Sequence, residues 1–290
     1  MIKESIEYLI KIATNPPYSN NLLPGRQEYQ KYAGDIFEDD KSYENQMALF
    51  LEWYIFDRIE PTHNQTVLEL IINNGKGPSL DLLKNIKVFI SHIHGLFIIK
   101  KIKDDWVKVI NLFDNEQYMV IEPLGKLYFS KNSIFEGRIL AYENSYYFTG
   151  NFCFHPEGSK KFIKSEIKKN SSLHAVNVKE LKSKNLKLNN ENEKLNKTIG
   201  RIKKIQLKLQ HSKSEKKLFE FKEKLSKFES IKAFYEECCS LLTKEITIFT
   251  NEKIIREKKT NQIILILKLS SMQLLFERSR NIELKYIYKN

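Results

Sequence analysis

The chain has 290 residues, 41% of them hydrophobic, and a formal net charge of +12; that much apolar material builds a core and excludes wholesale disorder. The charge is split, with 16 Lys/Arg against 20 Asp/Glu in residues 1–150 and 32 against 16 in residues 151–290, so an anionic partner would belong to the second half, whose lysines are otherwise a solvated helix surface. Three cysteines without C-x-x-C spacing (Cys153, Cys238, Cys239) exclude a disulfide framework and structural zinc, an early acid at Glu4 with no apolar run behind it excludes a signal peptide, and the stretch Ile263 to Phe276, interrupted by Lys268, is too short to span a bilayer, so a cytoplasmic location with no transmembrane segment is expected.

Residues 2–13 read as an amphipathic helix carrying Ile2, Ile6, Leu9, Ile10 and Ile12, stopped by Asn15-Pro16-Pro17. Pro24-Gly25 marks a turn. Arg26 to Phe37 follows as a second helix, ending near the acidic triplet Glu38-Asp39-Asp40. Ser42 to Asp57 is the strongest helical pattern of the first half, because Met47, Phe50, Leu51, Tyr54 and Ile55 recur at three and four. Thr66 caps a short helix, Val67 to Ile72, with Glu69 in the third helical position of a capping box. Asn74-Gly75-Lys76-Gly77-Pro78 breaks that helix and lacks the second half of a phosphate loop; Ser79 caps another helix running to about Ile93.

The period then shortens to two. Leu96–Lys101, Trp106–Leu112, Gln117–Glu122, Glu136–Tyr142 and Tyr146–Phe154 are β-branched and aromatic runs separated by turn residues. They predict a small antiparallel barrel or curled sheet in which sequence neighbours pair.

From Pro156 the strand pattern vanishes. Leu181, Leu188, Leu195, Ile202 and Leu209 sit seven apart, the a-position repeat of a coiled coil. Its complementary positions are expected at Asn185, Asn192, Ile199 and Gln206, leaving the seam half polar. A second run places Leu218, Phe221, Leu225 and Phe228 at three and four. An antiparallel hairpin of about 176–210 against 214–242 would bury both stripes; a parallel homodimer through the same stripe is the rival. Ile246 to Phe249 reads as a short strand, Asn251 to Lys259 as a charged stretch, and Gln262 to Arg280 as a last helix that packs back on the core.

The most distinctive segment is Phe50-Leu51-Glu52-Trp53-Tyr54-Ile55-Phe56-Asp57-Arg58. With Glu38-Asp39-Asp40, Thr66-Val67-Leu68-Glu69, Phe135-Glu136-Gly137-Arg138 and Gly150 to Pro156, it resembles an uncharacterised bacterial family that carries an F-x-E-W-x-x-x-D-R helix, and is similar to the domain preceding SEC-C motifs in other bacterial proteins. The resemblance covers Tyr29 to about Lys164. It implies a fold and shared ancestry but no activity. The SEC-C cysteines are missing here, so the zinc-binding role attached to them does not carry over.

Read physically, Glu52, Trp53, Asp57 and Arg58 form a structural knot, a core indole with charges at its rim that pair with other elements. His92 and His94, with His63 upstream, form the one histidine cluster in the sequence but lack supporting carboxylate spacing, so no metal and no cofactor is expected. No catalytic motif stands out. Basic runs are the strongest functional signal, and Lys182, Lys187, Arg201, Lys203, Lys204, Lys216 and Lys217 are the candidate anion-binding residues.

The expected architecture is α+β. Residues 1–160 form one domain (helices 1–93, β unit 95–155), and residues 161–290 a basic helical region with a coiled-coil hairpin at about 176–242 and a C-terminal helix at about 262–280. The expected function is that of a non-enzymatic interaction or scaffold protein whose arm self-associates or docks a protein partner. The alternative is nucleic-acid binding by phosphate contacts through the basic half.

Overall fold

A computed structural model describes residues 2–74, 80–248, 251–279 and 281–289. Most of the Asn74–Pro78 breaker, and the Ser79 cap, lie outside the described residues. The chain divides into two units, residues 1–171 with 260–290, and residues 172–259. The expected basic helical region is thus divided, its last stretch grouping with the first unit.

In the first unit, α1 (Ile2–Ala13) buries Ile6, Leu9 and Ala13. Its last carbonyls are taken by Thr14 and Asn15 side chains before the prolines. The second helix, α2 (Leu22–Ala33), starts earlier than the Pro24-Gly25 pair suggests. Proline is tolerated in a first helical turn, where its missing N–H has no intrahelical partner. Gly25 is needed there, because a Cβ would stand 2.8 Å from the Tyr54 ring. The third helix, α3 (Tyr43–Phe56), is buried on nearly every side, with Phe50, Trp53, Tyr54 and Phe56 in the core.

A two-residue β1 (Ile59–Glu60) pairs with β2 (Gln65–Thr66) and leads into α4 (Val67–Asn74). The capping box is formed: the Thr66 amide donates to Glu69 at 2.7 Å and the Glu69 amide to the Thr66 hydroxyl at 3.2 Å. Next, α5 (Leu80–Val88) ends in a 3-10 turn that contributes Phe89 to the helical core.

Strands β3 (Ile93–Ile102), β4 (Trp106–Asn111), β5 (Gln117–Ile121), β6 (Ile134–Tyr142) and β7 (Ser145–Phe148) close into a five-stranded barrel, with the short α6 (Gly125–Tyr128) before β6 and β8 (Cys153–His155) added on the edge of β6. Closure comes from β3 pairing with both β4 and β6. One seam, β5 with β7, is parallel, so the rule that sequence neighbours pair fails there. The run Tyr146–Phe154 is two strands because Gly150, at φ +104°, turns the chain between them.

Period-two alternation sends Phe97 and Ile99 into the barrel and Leu96 and Ile98 out of it. Phe129, Phe135, Phe148, Phe152 and Phe154 fill the interior with ring contacts at 5.1–5.9 Å. Outside, the start of α7 (Lys160–His211), through Ile163 and Ile167, and the end of α9 (Asn251–Arg278), through Ile266 and Leu269, cover the outward residues. The short α10 (Leu284–Ile287) adds Leu284 and Ile287 to this layer, and Tyr288 follows it.

The second unit contains the rest of α7, α8 (Glu215–Ile248) and the first turns of α9. Arg201 lies over Phe228, Lys194 over Tyr235, and Lys184 bonds Glu245, so α7 and α8 run antiparallel in one register. Ile246 to Ile248 are helical rather than a strand, and the charged stretch from Asn251 opens α9.

Candidate functional site

The sequence knot is the centre of a buried ionic cluster. Helix α3 supplies Glu52, and the residue that ends it, Asp57, caps its C-terminus. Antiparallel pairing of β3 and β6 puts His94 opposite Arg138, and Glu136 two residues along on the same face. Arg138, 1% exposed, spans the two layers. Its guanidinium donates through both terminal nitrogens to Asp57 and through Nε to Glu52 at 3.4 Å, and it lies over the Phe56 ring at 4.8 Å. His94 bridges two carboxylates, with Nδ1 2.9 Å from Asp57 and Nε2 3.1 Å from Glu136. His92 approaches Asp57 at 3.3 Å, Asn151 donates to Glu52 at 2.7 Å, and the Ser270 hydroxyl of α9 donates to Glu136.

Each ionisable group responds to this setting. Burial pushes the Glu52 carboxyl up, and neighbouring Arg138 only partly offsets it. Burial would raise Asp57 too, but Arg138 and His94 override it and hold the group well below the usual range. Glu136 is likewise lowered against burial by His94 and Ser270. Burial alone would lower His94; Asp57 and Glu136 reverse that, and its pKa is raised. The cluster is therefore a charged lock between the α3 layer and the barrel, with Asp57 and Glu136 ionised around Arg138 and a readily protonated His94. Its members pair with one another across the α3 layer and the barrel, an arrangement that fixes the geometry of the two layers.

The other sequence candidates separate from it. Trp53 packs against Tyr29 at 5.4 Å in the helical core. Arg58 turns away from Asp57, donates to Glu28 at 2.8 Å and lies over Tyr54. His63 pairs with Glu60 at 2.8 Å instead of joining the other two histidines. Asp40 of the acidic triplet receives Arg278 of α9 at 2.9 Å and is a docking point. Among the described residues no group of three or more His, Cys, Asp or Glu is arranged to hold a metal ion. Sequence reading missed Ser270 and saw Glu136 and Arg138 only inside a resemblance motif, not as partners of Glu52 and Asp57.

In the second unit, Leu181 and Ile202 are buried and Leu188, Leu195 and Leu209 half-buried along α7; Leu218, Phe221, Leu225 and Phe228 are half-buried along α8. The partner line on α7 is Lys184, Glu191, Thr198 and Ile205, three residues after each leucine-line residue, whereas Asn185, Asn192 and Gln206 are exposed. The expected complementary positions are thus displaced by one residue, which turns them about 100° around the helix. On α8 the half-buried line continues through Lys232, Tyr235, Cys239, Leu242 and Ile246, and no residue of α8 is fully buried. Lys182, Lys187, Arg201, Lys203, Lys204, Lys216 and Lys217 are all exposed. Heptad spacing puts Lys187, Arg201, Lys204 and Lys217 on one side of the helix pair and Lys182, Lys203 and Lys216 elsewhere.

A family profile described as a family of unknown function (DUF7986) matches residues 26–200, which take in every member of the ionic cluster except Ser270. No curated protein and no solved structure matches the chain.

Proposed function

The chain belongs to the DUF7986 family of unknown function, and from that premise we propose that it is a non-enzymatic interaction protein: a rigid α+β unit together with a coiled-coil arm, α7–α8, that associates with a further helix. One observation carries the reading. Beside its seam, α8 presents a second apolar line, with Phe234 60%, Leu241 54% and Ile248 58% exposed at heptad spacing and Ile231 and Cys238 half-buried alongside. A two-helix arm with such a line gains by burying it against a third helix. The closed cluster around Arg138 supports a structural role for the folded unit. The three free cysteines fit a reducing, cytoplasmic setting. The Trp53 helix, the Thr66–Glu69 capping box and the barrel succeed one another along the chain, and on that order we infer common ancestry with the domain that precedes SEC-C motifs.

Sedimentation of the full chain tests the arm. The native chain should self-associate or carry a captured protein, and Phe234→Lys with Leu241→Lys should abolish both while leaving the helical circular dichroism unchanged. A chain that stays monomeric to about 100 µM, and whose captured proteins are the same with and without these substitutions, would contradict the reading; that concentration corresponds to about 5.5 kcal/mol of association free energy.

A further inference from the structure

The distal part of the helix pair carries a face of a different character from the apolar line. Between Glu193 and Glu215 the sequence has no acidic residue, yet it holds Lys194, Lys197, Arg201, Lys203, Lys204, Lys208 and Lys213. Five of these, Lys194, Lys197, Arg201, Lys204 and Lys208, recur at three and four and so form one ridge along α7. The contacts of Lys194 with Tyr235 and of Arg201 with Phe228 fix which flank of α8 lies beside that ridge. On α8 the same flank carries Lys217, Lys224 and Lys227, with Glu220 its one carboxylate over that span. Eight cations therefore share a side with a single acid.

Most of this charge is uncompensated. Lys194 and Lys197 have local partners, Glu191 at 2.8 Å and Glu193 at 2.7 Å. Lys204, Lys208, Lys217, Lys224 and Lys227 are exposed and take part in none of the described ion pairs. From Lys194 to Lys208 the ridge is about 21 Å long at 1.5 Å per residue.

We propose that this ridge is a binding surface for the phosphate backbone of a nucleic-acid duplex, read without base specificity. A helix pair held in one register presents its cations in a fixed order along α7 and α8, and a duplex offers a fixed array of phosphates; about 21 Å covers roughly six base-pair steps of 3.4 Å. Lysine supplies point charges rather than the bidentate forks that read guanine. A single strand would call for aromatic platforms along the cations; Phe228 is covered by Arg201, the exposed Phe219 lies off the ridge, and Tyr235 and the exposed Phe234 stand only at its Lys194 end. An anionic membrane would call for apolar anchors among the lysines; the exposed Leu207 falls outside the ridge, and the exposed Phe234, seven residues after Lys227 on α8, stands only at its Lys194 end.

The test uses the full chain and a fluorescein-labelled 20-base-pair duplex of arbitrary sequence, followed by anisotropy from 50 to 200 mM KCl. Binding should weaken linearly in log–log form, by about 0.9 per phosphate neutralised. Lys197→Gln, Lys204→Gln, Lys208→Gln and Lys224→Gln together should weaken it at least tenfold at 100 mM salt. A second variant of equal net charge, Lys203→Gln, Lys213→Gln, Lys216→Gln and Lys222→Gln, removes cations off the ridge and should stay within about threefold of the native chain. Glutamine keeps helix propensity, so both variants should retain native circular dichroism. No duplex binding at 50 mM salt, equal losses in the two variants, or ridge-dependent binding to phosphatidylserine vesicles in place of the duplex would each overturn the proposal. None of these readouts depends on the Phe234–Ile248 line, so this inference and the association reading fail separately.

Discussion

Replacing Arg138 by methionine keeps most of the side-chain volume and removes the cation that holds the α3 layer to the barrel. Two unit charges about 4 Å apart attract by about 4 kcal/mol at an effective dielectric of about 20, and Arg138 has Asp57 and Glu52 within hydrogen-bonding reach. The loss is larger than a surface pair would give, because both partners are buried and Asp57 is left as an uncompensated anion with only the histidines beside it. Breaking a buried pair from one side costs about 3–5 kcal/mol, a large part of the roughly 5–15 kcal/mol that holds a domain together. Urea titration followed by tryptophan fluorescence reads the effect, since Trp53 lies in the same helix as Glu52. At a slope of about 2 kcal/mol per molar, the midpoint should fall by about 2 M. Glu52→Gln is the internal contrast: its contact with Arg138 is one bond of 3.4 Å that an amide oxygen can still accept, and Asp57 keeps both terminal nitrogens, so the midpoint should shift by less than about 0.5 M, the equivalent of about 1 kcal/mol. An Arg138→Met midpoint within about 0.5 M of native, or a Glu52→Gln loss as large as that of Arg138→Met, would refute the ionic lock.

The remaining expectations concern single groups. Burial lowers His155 to about 4, a depressed histidine, so the neutral native ring contributes stability that is present above the unfolded value of about 6.5 and drains away as pH falls from there to about 4; the loss is about 3 kcal/mol at 1.36 per unit, and the acid limb of a stability profile should flatten by that amount in His155→Gln. His94 has the opposite sign: its raised value adds stability below the unfolded pKa that is lost as pH rises through the folded one. A nuclear magnetic resonance titration should therefore find the His94 ring protonated at pH values where His155 is neutral. Thr66→Ala removes the capping hydroxyl and should cost about 1 kcal/mol in the same urea assay. Gly25→Ala forces a methyl against the Tyr54 ring and should lower the midpoint by about 0.5–1.5 M, at the 1–3 kcal/mol typical of overpacking.

Where a signal was local, the sequence disclosed it. The 3.6 period of Ser42–Asp57, the Thr66–Glu69 box and the alternation of the β runs each depend on residues within a few positions of one another, and each is an element in the structure. The ionic cluster was half legible. Glu52 and Asp57 stood out beside Trp53, but their partners come from β6 and β3, and the pairing exists only because the barrel register sets His94 opposite Arg138. Nothing local in Phe135-Glu136-Gly137-Arg138 announces that register. The parallel β5–β7 seam was hidden for the same reason. Along α7 the leucine line was plain, but its companions three and four residues on are both largely polar, so hydrophobicity could not choose between them. The start of α9 was hidden by charge, as exposed helical turns carry no apolar period to detect.

Site-specific photocrosslinking from position 234, in the cells that make the protein, tests most directly whether the outer line of α8 is a contact surface. A photoreactive phenylalanine there should give a discrete covalent adduct, with a second copy of the chain or with another protein, and the same residue at the exposed Ser226 on another face of α8 should give none. Equal labelling at both positions, or no adduct from position 234, would contradict the account of α8 as an association surface.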